Sequence, residues 1–224
     1  MSAIQSSLKA QKRALRKAMA SSLASIPALS IQEQTNAIVS RLNSLSAFQQ
    51  AGSISCYLSM PSGEVDTTPV VSEILKSDRS LFVPKIMNKS GEMDFLKIYD
   101  ITDLASLPSG IWGIKEPDLL WQGEPRLKAL ESPDLDLILL PAVAFARDFA
   151  RLGHGKGYYD RFLTSYHKAF HKKPLLVGLA LREQVLENAS IPMADHDWSM
   201  DLIVTPDETL ARPASDYDAD SRLA

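Results

Sequence analysis

Hydrophobic and polar positions divide the chain into a helical opening and a longer stretch of alternating strands and helices. Leu8, Leu15, Met19 and Leu23 recur at helical spacing, beside a stripe of Lys9, Lys12, Arg13 and Arg16 at i, i+3, i+4 and i+7. This predicts a helix near residues 4–24. A second is expected near 30–48, with Pro27 between the two and Ser30 ahead of an IQEQ run as its N-cap. Beyond Gly52 the pattern changes to short, β-rich apolar runs at 54–59, 81–86, 94–98, 135–140, 175–181 and 202–204, with helical spacing at 66–77 and 156–171. LDLILLP and VGLAL lack polar alternation, as strands do when helices cover both faces of a parallel sheet. The expected fold is therefore α/β: a doubly wound, mostly parallel sheet with helices on both faces, preceded by an N-terminal helical pair. One domain is expected over 1–211 and a polar tail over 212–224. Ligands of such sheets sit beyond the carboxyl ends of the strands, which directs attention to the loops after Ser59, Leu140, Leu181 and Val204.

Composition narrows the function. The 224 residues are 45% hydrophobic and 23% charged, ordinary globular values. No apolar run approaches the roughly 20 residues that span a bilayer, and the N-terminus lacks the apolar stretch of a secretory signal. A soluble, cytoplasmic protein is expected, without a membrane partner. A mitochondrial presequence stays open, because the first acidic residue is Glu33 and the segment before it carries Ser, Lys and Arg. A net charge of -3 argues against general nucleic-acid binding and permits a monomer, the state expected here. Cys56, the only cysteine, excludes an internal disulfide and reads as an inert buried thiol.

The most informative stretch is RLGHGKGYYDRF, residues 151–162, which follows a buried strand and opens a helix. Glycines at 153, 155 and 157 let the backbone approach a ligand, and successive amides at a helix start form a nest for phosphate oxygens. Arg151 and Lys156 supply counter-charge. Neither the P-loop nor the dinucleotide fingerprint fits: the first needs glycine at Ala150 and Ser or Thr at Gly157, the second glycine at Tyr158. Asp160 suits either Mg²⁺, which takes one or two carboxylates, or the positive helix N-terminus.

With this loop in place the sequence resembles the 5-formyltetrahydrofolate cyclo-ligase family, also called methenyltetrahydrofolate synthetases. The resemblance spans most of the chain and rests on LILLPAVAF followed by RLGHGKGYYD, on KRALR near the start, on YLSM before a segment with acidic and threonine residues, on IWGIKEP, and on DLIVTP. The chain departs from the commoner pattern at Ala146 and Phe149, has His154 at a variable position, and carries one extra residue between Met60 and Glu64. Membership implies ATP contacts from Lys12, Arg13, Ala14, Leu15 and Arg16, and from Arg151, Leu152, Gly153, His154, Gly155, Lys156, Gly157, Tyr158 and Tyr159. It implies folate contacts from Leu58, Glu64 and Trp112, and from His154, Gly155, Lys156, Gly157 and Tyr158. Lys156 and Arg151 would be catalytic, and Asp160 and Asp201 would attend Mg²⁺.

The reaction implied is ATP-dependent conversion of 5-formyltetrahydrofolate to 5,10-methenyltetrahydrofolate, with release of ADP and phosphate. The formyl oxygen, a poor leaving group, is phosphorylated, and the neighbouring nitrogen then closes on the formyl carbon. Such chemistry needs no enzyme nucleophile and rests on positioning and charge neutralisation. Two alternatives remain: a folate- or nucleotide-binding module without turnover, and a sugar-phosphate isomerase or acyl-CoA transferase on a similar sheet. The latter needs a catalytic base or an acylated glutamate near the loop. His167 and His171 lack the glutamate of a zinc-protease helix. Asp195, His196 and Asp197 read as a solvated loop.

Overall fold

A computed structural model describes residues 3–88, 90–110, 113–187 and 191–213. Helices α1 (Ala3–Ala24) and α2 (Ala28–Asn43) come first, followed by the short α3 (Ser46–Gln50). Helix α2 starts earlier than its sequence suggests. Pro27 is its N-cap, without a side-chain hydrogen bond, and Ser30 lies inside the first turn, where its hydroxyl accepts from Gln34 Nε2 at 3.2 Å. Pro27, at φ -63° and ψ 142°, takes the extended conformation of a cap, so Ser30 falls at the third helical position.

The alternating segment then follows in chain order: β1 (Ser53–Cys56), α4 (Thr68–Leu75), β2 (Ser80–Ile86), β3 (Met93–Ile98), α5 (Ile101–Ser106), β4 (Leu120–Trp121), β5 (Glu124–Pro125), β6 (Leu137–Leu140), β7 (Ala144–Ala146), β8 (Arg151–Leu152), α6 (Tyr158–Phe170), β9 (Leu175–Leu179), β10 (Val185–Leu186), β11 (Leu202–Val204) and β12 (Thr209–Ala211). Seven strands form the main sheet in the order β12-β11-β9-β6-β1-β2-β3. The five interior strands are parallel, and β12 and β3 pair antiparallel at the edges.

The unalternated run in β6 has a direct explanation. Leu137 and Leu139 join one core cluster while Ile138 and Leu140 join the other, because successive side chains leave opposite faces and both faces are covered. On the first face lie Ile38 and Leu42 of α2, Phe48 of α3, and Val70, Val71 and Ile74 of α4. On the second lies α6, through Phe162, Leu163 and Tyr166. The rings of Phe95 and Phe162 meet edge-on, with centroids 4.2 Å apart. Gly178, in the middle of β9, leaves room for the Phe145 ring, which stands where a side chain would go.

Three features place the site. First, the chain leaves β6 into a small sheet ordered β10-β7-β8, whose outer side carries a third apolar cluster of Met19, Val143, Ala144, Ala146, Ala150, Leu152 and Ile191. Helix α1 packs there through Leu15, Met19 and Leu23, so the two N-terminal helices seat on different layers. Second, residues 146–150 form the tight turn joining β7 to β8. Phe149 takes φ 67°, its amide donates to Ala146 O, and the Ala146 amide donates to Ala150 O. Third, the excursion between β3 and β6 is pinned by buried Arg126, whose guanidinium grips Asp103 at 2.6 and 2.5 Å and also donates to Lys97 O and Asp118 O. Trp112, on this excursion, lies outside the described residues, as does the tail from 214 onward. Among the described residues no helix is long and apolar enough to cross a membrane.

Candidate active site

The glycine turn lies where the sheet geometry directs attention, past the carboxyl end of β6, between β8 and the start of α6. His154, Gly155 and Lys156 are exposed. Gly155 and Gly157 hold φ of 95° and 65°, and Gly157 is the left-handed N-cap of α6. A side chain at Gly155 would stand 3.0 Å from Arg16 Cζ, so glycine is needed there for both dihedral and space. Among the described residues no main-chain carbonyl accepts from the amides of Gly153, Gly155, Lys156 or Gly157. Together with the free amides of the first turn of α6, they form a row of unspent donors beside a positive helix end.

Cationic groups border this row. Arg151 is buried under the turn: one Nη donates to Asp160 Oδ2 at 3.0 Å, and its Cζ lies 5.5 Å from the Tyr159 ring centroid. Its Nε is buried with no hydrogen-bond partner among the described residues. Leu152 is buried in the third cluster, so only its backbone faces the turn. Arg161 closes the far side, donating to Gly91 O and Lys156 O while stacking 5.7 Å from the Tyr158 ring.

The basic stripe of α1 divides in two. Lys12 and Arg16 share the packed face with Leu15 and Met19, whereas Lys9, Arg13, Ala14 and Lys17 are exposed. Arg16 Nε donates to Gly153 O at 2.7 Å, and burial lowers its pKa while Asp197 opposes the shift. Lys12 forms an ion pair with Asp197, both side chains being mostly buried. Asp197 therefore does not belong to a solvated loop. The clue in the sequence was that α1 carries several cations and no acid, so inward-facing ones need partners from elsewhere.

Next to the turn lies a cavity of about 190 Å³ lined by Ala20, Leu23 and Ala24 of α1, by Met60, Ser62, Gly63 and Glu64, and by Ala142, Val143 and His154. His154 thus belongs to both the turn and the cavity: the residue as a whole is open to solvent, but desolvation of the ring against its surroundings, with Arg151 and Arg16, holds its pKa below the usual value. Glu64 is the carboxylate of this cavity. It accepts from the Met60 amide, and burial raises its pKa to about 7. The loop that carries it is braced by Thr67 Oγ1 donating to Tyr57 O at 2.7 Å and by Tyr57 Oη donating to Val65 O at 3.3 Å. Tyr159 and Tyr57 lie close enough to Glu64 for its charge to push their pKa values further up, burial being the larger cause. Tyr159 thus lies within electrostatic reach of Glu64 from the start of α6, a proximity that its place in the motif did not reveal. Leu58 packs against the first core cluster rather than lining the cavity. Cys56 is fully buried with its pKa pushed up by burial, consistent with an inert thiol.

The two carboxylates expected at a metal each have protein partners. Asp160 sits in the first turn of α6, with its oxygens engaged by Arg151 and by the Trp198 amide at 3.2 Å. Asp201 opens β11, beside the start of β9. Lys173 Nζ and the Leu176 amide, each at 2.8 Å, take its two oxygens, which is how a strand entry is anchored. Among the described residues no group of three or more His, Cys, Asp and Glu side chains could hold a metal ion, and this includes His167 and His171.

Comparison with known proteins gives a consistent answer. The sequence model of the 5-formyltetrahydrofolate cyclo-ligase family matches residues 8–206. A Caenorhabditis elegans protein named probable 5-formyltetrahydrofolate cyclo-ligase is 36% identical over 92% of this chain and 97% of its own. One of the same name from Schizosaccharomyces pombe is 33% identical over 89% and 97%. The solution structure of Aquifex aeolicus 5,10-methenyltetrahydrofolate synthetase superposes with a TM-score of 0.70 at 31% identity, covering 89% of this chain and 92% of that one. The glycine turn, the helix laid across it and the buried glutamate beside it thus occur in a chain that belongs to the 5-formyltetrahydrofolate cyclo-ligase family of enzymes.

Proposed function

We propose that the chain converts 5-formyltetrahydrofolate and ATP to 5,10-methenyltetrahydrofolate, ADP and phosphate. The observation that carries this reading is the row of unspent amides at 153 and 155–157 opening beside the Glu64 cavity, with His154 common to turn and cavity. A triphosphate lies along the turn, its oxygens accepting from those amides, with Lys156, Arg16 and Lys12 supplying positive charge around them. Arg151 acts from beneath: its guanidinium underlies Gly153 and fixes the first turn of α6 through Asp160.

The pterin enters the cavity, where the Glu64 carboxylate accepts from its amino and amide N–H groups and the α1 side chains cover its ring. The formyl oxygen attacks the γ-phosphorus and ADP leaves. The neighbouring secondary nitrogen then attacks the formyl carbon, loses its proton, and the oxygen departs with phosphate. No step requires an enzyme nucleophile. The residues present do not form a ready metal cage, since Asp160 is engaged by Arg151 and the Trp198 amide and Asp201 by Lys173 and the Leu176 amide. Mg²⁺ is therefore proposed to arrive with ATP, held by phosphate oxygens and water. Trp112 and Tyr158 remain proposed folate contacts.

The test is to incubate the purified protein with 5-formyltetrahydrofolate and MgATP and follow methenyl absorbance and ADP together. Equal amounts of both are expected. ATP and folate binding without product would select the non-catalytic module and refute the proposal. Lys156→Ala should slow the reaction about 100-fold or more without unfolding, the cost typical of removing one group that stabilises transferring charge. Undiminished turnover would remove Lys156 from the mechanism.

A further inference from the structure

Residues 194–198 run between α1 and α6 beside the glycine turn and hold both helices. Asp197 Oδ2 accepts from the Ala194 amide at 2.7 Å, the Asp197 amide donates to Ala194 O at 2.9 Å, and the same carboxylate pairs with Lys12. One residue on, the Trp198 amide donates to Asp160, which in turn holds Arg151 under Gly153. The self-closed turn gives the carboxylate a fixed position, and its charge also reaches Arg16. Lys12, four residues before Arg16, is therefore oriented by an acid from a distant segment, while Gly153 O holds Arg16 at the turn. Packing of Leu15, Met19 and Leu23 holds the other half of α1, whereas the Lys12 ammonium is held by its ion pair with Asp197.

We propose that Asp197 is a positioning residue for the triphosphate: it holds Lys12, and with it the N-terminal half of α1, across the glycine turn so that Lys12 and Arg16 are in place before the nucleotide arrives. This rests on the reading of the turn as a triphosphate site. Charge and positioning predict opposite signs. Removing a negative charge beside an anion site tightens the anion by Coulomb's law alone, whereas loss of a preorganised cation loosens it.

The experiment measures MgATP binding to the full-length protein by calorimetry, which needs no turnover, alongside steady-state kinetics. Asp197→Asn retains an oxygen for the Ala194 amide and removes the charge. It should raise Kd and KM for ATP about tenfold, while kcat at saturating ATP and KM for the folate change less than about twofold. Asp197→Glu should recover most of the loss. In the double variant with Lys12→Met the two losses should fail to add, because one interaction accounts for both. Unchanged or tighter ATP binding in folded Asp197→Asn overturns the proposal. So do equal losses for both substrates with a lower melting temperature, which describe a merely structural residue. Asp197→Ser serves in the same way if Asp197→Asn does not fold. Wild-type protein that binds no MgATP defeats both this inference and the proposed function, whereas binding without turnover defeats only the function.

Discussion

Replacing Glu64 with glutamine should change how stability depends on pH, by an amount the structure allows one to work out. Burial moves the Glu64 carboxyl from 4.5 to about 7, only partly opposed by the Met60 amide. That difference corresponds to about 3 kcal/mol between protonated and ionised states. Because the folded pKa is the higher one, the folded state binds more protons than the unfolded state across this interval. The stabilisation is fully present below pH 4.5 and is lost as pH rises through about 7. Asp94, raised by burial to about 6, acts with the same sign at lower pH and is common to both proteins. The glutamine side chain keeps a carbonyl for the Met60 amide and does not ionise. Urea unfolding from pH 4.5 to 8 should show the variant gaining about 3 kcal/mol on the wild type across the interval, with unchanged m-values. Parallel curves would mean that Glu64 is not buried as an acid. Folate binding offers a second reading. If pterin N–H groups donate to this carboxylate they favour its ionised form, so binding at pH 7 should release up to about half a proton. Calorimetry in buffers of different ionisation enthalpy measures that release, and none is expected from Glu64→Gln.

Three further outcomes follow from the geometry. Gly155→Ala places a β-carbon 3.0 Å from Arg16 Cζ on a backbone at φ 95°, so stability should fall by about 1–2 kcal/mol and KM for ATP should rise more than KM for folate; unchanged kinetics in a folded variant would contradict the site. Asp201→Asn should lower stability by about 1–2 kcal/mol through loss of the Lys173 pair and leave the Mg²⁺ titration of activity unmoved; a shifted titration would restore Asp201 to the metal. Arg126→Ala leaves the Asp103 carboxylate buried and unpaired, and thermal unfolding should report a loss of about 3–5 kcal/mol.

Much of the fold was legible because its signals are local. The unalternated β6 and β9 announced a sheet covered on both faces, and the glycines at 153, 155 and 157 announced an amide nest. Strands of two or three residues, such as β7, β8 and β10, are too short for periodicity to register, so the small sheet that turns α1 toward the site could not be anticipated. Helical spacing groups Lys9 and Arg13 with Lys12 and Arg16, and only packing against Val143 and Leu152 decides which pair faces inward. The resemblance led to Asp201, but an aspartate that opens a strand serves equally well as an anchor for Lys173 and the Leu176 amide. Asp197 was hidden because its partner is 185 residues away in sequence.

The central claim is that the amides of the glycine turn receive the triphosphate. Labelling the chain with ¹⁵N-glycine gives ten amide reporters, and MgATP should shift the signals of Gly153, Gly155 and Gly157 while leaving those of Gly52 and Gly123 in place. Saturating MgATP that moves none of the three would contradict the account.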